Sequence, residues 1–299
     1  MATIPVSVIV CTRNRLDKLR RCLDAFGRIK TEHQWELVIV DNGSTDGTDE
    51  FLASLPARIA GATVKTVCEP RQGLAIARNT GVGVSRGDIV AFTDDDCYVA
   101  PDYIDAMAHA FDDATIGFIG GRILLYDRND LPITINESER YEKILPYKFI
   151  RTGNVQGANM AFRRSILKRI GGFDEIFGRI VACEDTDAIA RASWAGVSGA
   201  YDPKPTVFHH HERKTKRQAR KIWAFYQRGR GAYYAKCILN PASRRTYIQT
   251  WAKMTFLQLR GPTTMRSRVA ILNVLRRELA GALYYFRKAK GRANRVRTS

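Results

Sequence analysis

Three consecutive aspartates, Asp94 to Asp96, are the strongest chemical signal in this 299-residue sequence. They follow the apolar run Ile89–Phe92, which has the continuous hydrophobicity of a buried strand. Carboxylates crowded at a strand end repel one another unless a cation compensates their charge. Because Mg²⁺ and Mn²⁺ prefer carboxylate and phosphate oxygens, the triplet predicts a metal site with positions left open for a diphosphate. The alternative is an acidic turn that caps the helix expected from Pro101.

A second acidic position, Asp41, directly follows another apolar run, Leu37–Val40. At the carboxyl edge of a parallel sheet, an acidic side chain can accept hydrogen bonds from ribose hydroxyls or from a base N–H. The alternative role is to cap the next helix, for which Ser44, Thr45 and Asp46 are better suited.

Further carboxylates and imidazoles occur near residues 184–211. Glu184 and Asp185 begin a predicted helix, where a carboxylate can either deprotonate a hydroxyl or only interact with the helix dipole. The predicted strand Thr206–His210 leads into three histidines, and His209 and His211 share one face of an extended chain. The alternative for these histidines is a solvated basic segment.

The surrounding pattern must position these side chains. Four apolar, β-branched runs predict buried parallel strands: Val6–Val10, Leu37–Val40, Val64–Val67 and Ile89–Phe92. Amphipathic segments near residues 15–28, 46–55 and 74–84 separate them. This alternation predicts an α/β fold in which the loops after the strands gather along one ligand-binding edge.

Residues 100–211 have a less regular pattern. It predicts a helix at Pro101–Phe111, strands at Ile116–Tyr126 and Asn154–Phe162, and a helix at Glu184–Trp194. The polar segment 127–150 contains two prolines and predicts a mobile or inserted loop. Beyond Glu212 the pattern is helical, with amphipathic faces at 219–226 and 269–286 and a last helix near 266–288. Three tryptophans at helical positions are expected to pack in the interior rather than against a sugar: Trp194, Trp223 and Trp251.

A series of blocks in fixed order resembles the motifs of family 2 glycosyltransferases. The blocks are Val6–Arg15, the loop at Asp41, Gly73–Gly81, Asp94–Asp96, Gly157–Arg164, Gly171–Asp174 and Glu184–Asp187. Each block is weak alone, but their order over about residues 5–211 is specific. The resemblance implies a GT-A fold, a mixed α/β sheet flanked by helices, with residues 1–211 as the catalytic domain and 212–299 as a basic helical extension.

The resemblance also implies site roles. Nucleotide-sugar contacts are implied for Thr12, Arg13, Asn14, Asp41, Arg78, Asp94 and Asp95. Mg²⁺ or Mn²⁺ would be held by Asp96, Asp94 and His209, with His211 as the alternative histidine. Asp185 would be the general base with Glu184 positioning it, and acceptor binding is implied for Gly157, Ala158 and Asn159.

The implied reaction moves a hexose from a nucleoside-diphosphate sugar to a hydroxyl of a polysaccharide or lipid-linked glycan. One carboxylate base acting opposite the departing diphosphate predicts inversion at the anomeric carbon. A metal-dependent nucleotidyltransferase is the alternative enzyme. It usually needs a glycine-rich loop after the first strand, and Thr12 to Arg15 contain no glycine.

The positive charge lies in the C-terminal extension. Residues 1–211 carry 25 Lys and Arg against 28 Asp and Glu, whereas residues 212–299 carry 23 against 2. Such a tail favours an anionic membrane surface, and we expect peripheral attachment at the cytoplasmic face of the cell membrane. Nucleic-acid binding is the alternative, but it leaves the acidic clusters without a role, so no nucleic acid is expected as a partner.

The six cysteines show no CxxC pair, so reduced thiols of a cytosolic protein are expected. The N-terminal residues show no signal-peptide pattern. No apolar run reaches the ~18–20 residues of a membrane-spanning helix.

Overall fold

A computed structural model describes residues 5–260 and 265–297. The strands are β1 (Val6–Thr12), β2 (Trp35–Asp41), β3 (Arg58–Ile59), β4 (Ala62–Cys68), β5 (Ile89–Asp94), β6 (Cys97–Val99), β7 (Ile116–Leu125), β8 (Glu142–Ile144), β9 (Asn159–Arg163) and β10 (Ser198–His209). The helices are α1 (Leu16–Phe26), α2 (Thr48–Ala53), α3 (Leu74–Val84), α4 (Tyr103–His109), α5 (Arg164–Arg169), α6 (Glu184–Trp194), α7 (Lys216–Leu239), α8 (Arg244–Arg260) and α9 (Met265–Arg297).

One mixed sheet contains all ten of these strands. Its order is β3-β4-β2-β1-β5-β9-β7-β10-β6, and β8 pairs with β10. Strands β4, β2, β1 and β5 are parallel, whereas β9 runs antiparallel to both β5 and β7. The register aligns Thr12 with Asp41 and Cys11 with Asp94, so the acidic positions after β2 and β5 lie at one edge of the sheet.

The predicted parallel strands are confirmed, and the predicted helix 74–84 coincides with α3. The expectation that Val64–Val67 is buried throughout is wrong, because these residues are partly or fully exposed and only Ala62 of β4 is buried. Only the two-residue β3 lies outside β4, so one face of β4 remains partly exposed. The short strands β3 and β6 and the helix α5 have no counterpart among the predicted elements.

The polar composition of residues 127–150 predicts a loop, but the segment is only partly a loop. It contains β8, which pairs with β10, and Asn136 forms an isolated bridge with Ile123. Ile133, Ile144 and Ile150 are buried. These isoleucines fix the segment to the sheet, although the residues between them are polar.

The C-terminal helices share a hydrophobic core with the sheet. Tyr233 and Tyr247, from α7 and α8, belong to the same buried cluster as Phe92 and Phe162 of the central strands. Helix α7 begins at a capping box, in which the Thr215 side chain accepts a hydrogen bond from the Gln218 N–H and the Gln218 side chain accepts one from the Thr215 N–H. The core therefore continues across residue 211, and the domain limit placed there stays a prediction.

Helices α7 and α9 cross at glycines. A Cβ atom at Gly231 would collide with the backbone of Glu278, and one at Gly281 would collide with the carbonyl of Arg228. The close approach places the buried Glu278 carboxylate beside Arg230, with which it forms an ion pair. Small residues thus permit the backbone contact between these two helices.

None of the helices within residues 5–260 and 265–297 has the length and hydropathy needed to cross a bilayer. The six cysteines are all free thiols.

Candidate active site

The predicted metal ligands meet at the end of β5. Ligand atoms of Asp94, Asp96, Cys97 and His209 all lie within 4.8 Å of one another, and we call these four residues the acidic cluster. Strand β6 returns antiparallel to β10, so that Cys97 pairs with His209. Cys97 directly follows the aspartates in the chain, and the pairing of β6 with β10 brings it beside His209.

Of the two candidate histidines, His209 belongs to the acidic cluster. Its Nε2 lies 3.4 Å from Asp96 Oδ1. His211 instead contacts the segment 127–150, where its Nδ1 lies 3.5 Å from Asp130 Oδ2 and its Nε2 lies 2.9 Å from the Leu131 carbonyl oxygen. Burial lowers the pKa of His211. The structure therefore favours His209 over His211 as a metal ligand.

Two cations of the α1 segment face the aspartates. Arg15 forms ion pairs with Asp95, at 2.6 Å, and with Asp96, and Lys18 Nζ lies 3.6 Å from Asp96 Oδ2. Burial raises the pKa of Asp95 to about 7, although Arg15 opposes the shift. Burial also acts on Asp96, but the hydrogen bond with His209 and the charge of Arg15 hold its pKa well below the ordinary value. Asp96 is therefore ionised at neutral pH.

The acidic cluster has a donor set that suits a divalent cation. Asp94 and Asp96 offer carboxylate oxygens, and His209 offers an imidazole nitrogen, a combination that fits Mn²⁺ or Mg²⁺. Cys97 offers a sulfur atom, which is a softer ligand than Mg²⁺ and Mn²⁺ prefer. Asp94, Asp96 and His209 are therefore the better candidate ligands, and their role stays a prediction.

The loops after β1 and β2 lie side by side. The Asn14 N–H donates to Ser44 Oγ at 2.9 Å, and the Ser44 N–H donates to the buried Asp41 carboxylate at 3.0 Å. Thr12 is buried and its hydroxyl donates to Asp95 at 2.8 Å, whereas Arg13 is exposed. The predicted nucleotide contacts therefore gather at the edge of the sheet, and their roles stay predictions.

Arg78 of α3 links the acidic cluster to the second carboxylate pair. Its buried guanidinium donates to Glu184 Oε1 at 2.9 Å, to Asp94 Oδ1 at 3.5 Å and to the Gly157 carbonyl at 3.3 Å. A Cβ atom at Gly157 would collide with this guanidinium, so a larger residue at position 157 would displace the Arg78 side chain. Arg78 thus lies between the two groups of carboxylates, and its contact with a nucleotide stays a prediction.

Asp185 lies in the first turn of α6 and is half-buried. Its Oδ2 accepts a hydrogen bond from the Gly157 N–H at 2.8 Å, and its Oδ1 accepts one from the Thr186 N–H at 2.6 Å. Oδ1 also accepts a hydrogen bond from the Thr186 hydroxyl at 3.1 Å, so backbone donors orient both oxygens and Oδ2 keeps a second lone pair for a substrate hydroxyl. The neighbouring Glu184 is buried, which raises its pKa to about 7 although Arg78 opposes the shift.

The three predicted acceptor residues have different environments. Gly157 and Ala158 line a cavity next to Asp185. The Asn159 side chain is fully buried and donates to the carbonyls of Arg122 and Pro205, both at 2.9 Å. It therefore joins β9 to β7 and β10, and contributes no side chain to the cavity wall.

The cavity has a volume of about 820 Å³ and connects the two groups of carboxylates. The site residues on its wall include Arg15, Arg78, Asp94, Asp96, Gly157, Glu184, Asp185 and His209. Asp185, the predicted base, thus lines the same cavity as the acidic cluster.

Helix α7, which lies beyond the predicted catalytic region, forms another part of this wall. Trp223, Phe225 and Tyr226 line the cavity, and Trp223 is 48% exposed. The expectation that Trp223 packs in the interior is wrong, whereas Trp194 and Trp251 do pack against the core. Helical spacing alone does not distinguish a face turned to the core from one turned to a cavity.

Residues 7–171 match the model of the family described as Glycosyl transferase family 2. The pre-mycofactocin glycosyltransferase of Mycobacterium tuberculosis is 28% identical over 217 residues, which cover 69% of this chain and 43% of that protein. Glycosyltransferase AglE of Haloferax volcanii is 27% identical over 203 residues, which cover 66% of this chain and 64% of that protein. The chain therefore spans less than two thirds of the length of both relatives.

Solved structures share the fold. The mannosyltransferase PcManGT from Pyrobaculum calidifontis, in complex with GDP-Man and Mn²⁺, has a TM-score of 0.62 at 19% identity and covers 96% of this chain and 88% of its own. Residues 1–349 of S. aureus TarS, in complex with UDP-GlcNAc, have a TM-score of 0.62 at 15% identity and cover 93% of this chain and 81% of their own. The predicted GT-A fold, a mixed sheet flanked by helices with a helical C-terminal extension, is confirmed.

Proposed function

The chain belongs to glycosyl transferase family 2, and from this premise we propose that it transfers a hexose from a nucleoside-diphosphate sugar to a hydroxyl group, with inversion at the anomeric carbon. The acceptor is a polysaccharide or a lipid-linked glycan. Relatives of the fold have been solved with GDP-Man and Mn²⁺ and with UDP-GlcNAc, which supports a nucleotide-sugar donor.

The observation that carries the proposal is the position of Asp185. Its carboxylate lines the same cavity as Asp94, Asp96 and His209, and Arg78 joins the two sides through Asp94 and Glu184. A base and a candidate diphosphate site therefore share one cavity, as single displacement at a sugar carbon requires.

The chemical step follows from this arrangement. The acceptor hydroxyl oxygen forms a bond to the anomeric carbon while the bond from that carbon to the diphosphate oxygen breaks, and the diphosphate leaves with the electron pair. Asp185 accepts the hydroxyl proton. Arg78 keeps its positive charge between Glu184 and Asp94, and Glu184 holds Arg78 in place.

A divalent metal suits the acidic cluster. Asp94, Asp96 and His209 would hold Mg²⁺ or Mn²⁺, which when bound neutralises charge on the leaving diphosphate. Arg15 pairs with Asp95 and Asp96 and is positioned to add a second positive charge near the phosphates.

Thermal-shift measurements against a panel of UDP-, GDP- and dTDP-sugars, with and without Mn²⁺, would test the proposal. We expect one nucleotide series to stabilise the protein, and Mn²⁺ to increase that stabilisation. Proton NMR of the transfer product should then show the anomeric configuration opposite to that of the donor. A protein that binds no nucleotide sugar under either condition, or a product that retains configuration, would contradict the proposal.

We also propose that the C-terminal helices attach the enzyme to the cytoplasmic face of an anionic membrane. Leu272, Leu279, Leu283 and Phe286 of α9 are 40–61% exposed, and we call these residues the outer stripe. Their spacing places them on one helical face, whereas Tyr285 lies on another face and packs against the core. Arg276 and Arg287 are exposed beside the stripe. Apolar side chains flanked by cations suit an interface with anionic lipid.

A further inference from the structure

The cavity extends well beyond the carboxylates to helices α7 and α8. Ile222, Trp223, Phe225 and Tyr226 line its wall, and we call them the α7 wall. Met254 of α8 lines the same cavity. The Asp41 and Asn14 loops, in which nucleotide contacts are predicted, are absent from the lining. The space near α7 therefore opens to the acidic cluster but not to the loops that carry Asn14 and Asp41.

The α7 wall offers aromatic surface to a ligand. The Trp223 indole is 48% exposed and stands nearly perpendicular to the Tyr226 ring, with ring centroids 6.1 Å apart. The Tyr226 hydroxyl makes no hydrogen bond with any residue that the structure describes. Burial raises the pKa of Tyr226, so the phenol remains a neutral donor. An aromatic face beside a hydroxyl donor suits a sugar ring.

Two arginines on the cavity wall differ from the others. Arg15, Arg78 and Arg230 each pair with a carboxylate. Arg151 and Arg213 also line the cavity, but neither has a carboxylate partner within residues 5–260 and 265–297. A guanidinium without a counter-ion on a cavity wall is suited to a phosphate, which its fork of N–H donors can bind in a bidentate manner.

These unpaired charges lie beside the aromatic wall. Arg151 and Arg213 line the same cavity as Tyr226 and Tyr234. Asp185 and Glu184 lie on this lining too, together with Asp94, Asp96 and Glu142. The α7 wall thus shares one cavity with the candidate base and with the unpaired arginines.

We infer that the α7 wall together with Arg151 and Arg213 is the acceptor subsite, and that it selects a saccharide carrying a phosphate group. The inference rests on the proposed glycosyl transfer and names the class of its acceptor. The sugar ring lies against Trp223, and the phosphate binds the guanidinium groups. A free sugar phosphate and a sugar linked to a lipid phosphate share this chemistry.

Binding of defined probes to the full chain, saturated with its preferred nucleoside diphosphate and Mn²⁺, tests the inference. The soluble probes are the 1-phosphates of glucose, mannose and N-acetylglucosamine, each compared with its neutral methyl glycoside. Saturation-transfer NMR and quenching of tryptophan fluorescence report binding. A third arm uses the best sugar as its farnesyl phosphate diester, which separates a lipid-linked ligand from a free phosphate.

We expect at least one sugar phosphate to bind on the order of tenfold more tightly than its methyl glycoside, as one charge-assisted contact would give. Arg151→Gln and Arg213→Gln should each reduce that preference. Trp223→Ala should weaken the binding of both the sugar phosphate and the methyl glycoside. Arg220→Gln, an exposed position on α7 outside the cavity lining, is the matched control and should behave as the wild type. Tighter binding of the farnesyl diester would assign the phosphate to a lipid.

Equal binding of phosphorylated and neutral probes would overturn the inference. The inference would also fail if Arg151→Gln and Arg213→Gln weakened only the binding of the nucleoside diphosphate, because the arginines would then belong to the donor site. Nucleotide-sugar binding and slow donor hydrolysis are measured in the same samples. If these persist while the probes show no preference, the inference fails but the glycosyltransferase proposal stands.

Discussion

At the scale of single residues, the most specific role that we propose is that of Asp185 as the general base. Its oxygens accept backbone hydrogen bonds from Gly157 and Thr186, so an amide at this position can keep much of the geometry while losing basicity. We predict that Asp185→Asn retains affinity for the nucleotide sugar but reduces the transfer rate by roughly 10²–10⁴-fold. Single-turnover kinetics and calorimetric donor titration would measure the two effects. Asp113→Asn is an exposed control, and wild-type transfer in Asp185→Asn would remove this residue as the base.

The buried Glu184 predicts a pH dependence. Its pKa is raised to about 7, so the carboxylate that holds Arg78 is charged above this pH and neutral below it. Activity should therefore fall roughly tenfold between pH 8 and pH 6 as Glu184 takes up a proton. Glu184→Gln mimics the protonated form, so its rate should be low and nearly constant over this range. A pH–rate profile of Glu184→Gln that retains the wild-type step would assign the titration to another group.

The two histidines provide a matched pair for the metal site. His209 lies in the acidic cluster, whereas His211 contacts Asp130 and Leu131. Loss of an outer-shell partner of a metal ligand can lower metal affinity about tenfold. His209→Gln should lower Mn²⁺ affinity by more than this, because it removes a ligand. His211→Gln should leave Mn²⁺ affinity near wild type and lower thermal stability. Electron paramagnetic resonance of free Mn²⁺ measures the affinity, and a reversed order would exclude His209 as a ligand.

At the scale of elements, strand ends could be predicted because continuous apolar runs mark buried strands. Asp41 and Asp94 follow such runs, and parallel pairing brings both to one edge. The contact of Cys97 with His209 and the partial burial of β4 depend on which strands become neighbours. Local periodicity does not contain that information. The exposure of Trp223 could not be predicted for the same reason, since its surroundings depend on how α7 packs onto the sheet.

The crossing of α7 and α9 gives a prediction at this scale. A Cβ atom at Gly281 would collide with the Arg228 carbonyl, whereas nothing lies within 4 Å of one at Gly291 in the same helix. Gly281→Ala should therefore destabilise the protein by about 1–3 kcal/mol, as expected for overpacking. Gly291→Ala should be neutral or stabilising by up to about 1 kcal/mol, because alanine favours a helix. Equal denaturation midpoints for both variants would mean that the helices can separate without cost.

At the scale of the whole molecule, charge and apolar surface coincide in the C-terminal helices. The charge asymmetry is visible in composition, but the outer stripe is not, because α9 has apolar residues on its inner face as well. Only the packing of Ala282 and Tyr285 against the core shows which apolar face remains exposed. The resemblance that identified the catalytic motifs ends near residue 211 and carried no information about α7, α8 or α9.

Vesicle co-sedimentation tests the membrane proposal. Binding to anionic vesicles should exceed binding to neutral ones, because each cation near the surface contributes about 1 kcal/mol. Leu279→Glu and Leu283→Glu should both reduce binding to anionic vesicles. Leu145→Glu changes a similarly exposed leucine outside the helices and is the control. Equal sedimentation with neutral and anionic vesicles would contradict the proposal.

The central claim is that a metal-held diphosphate and Asp185 face one another across the cavity. A crystal structure of Asp185→Asn with Mn²⁺ and its preferred nucleotide sugar would test this claim most directly. We predict an anomalous manganese peak between Asp94, Asp96 and His209, with the diphosphate bound to it and the anomeric carbon turned toward residue 185. A nucleotide sugar bound outside this cavity, or a manganese ion away from the acidic cluster, would contradict the account.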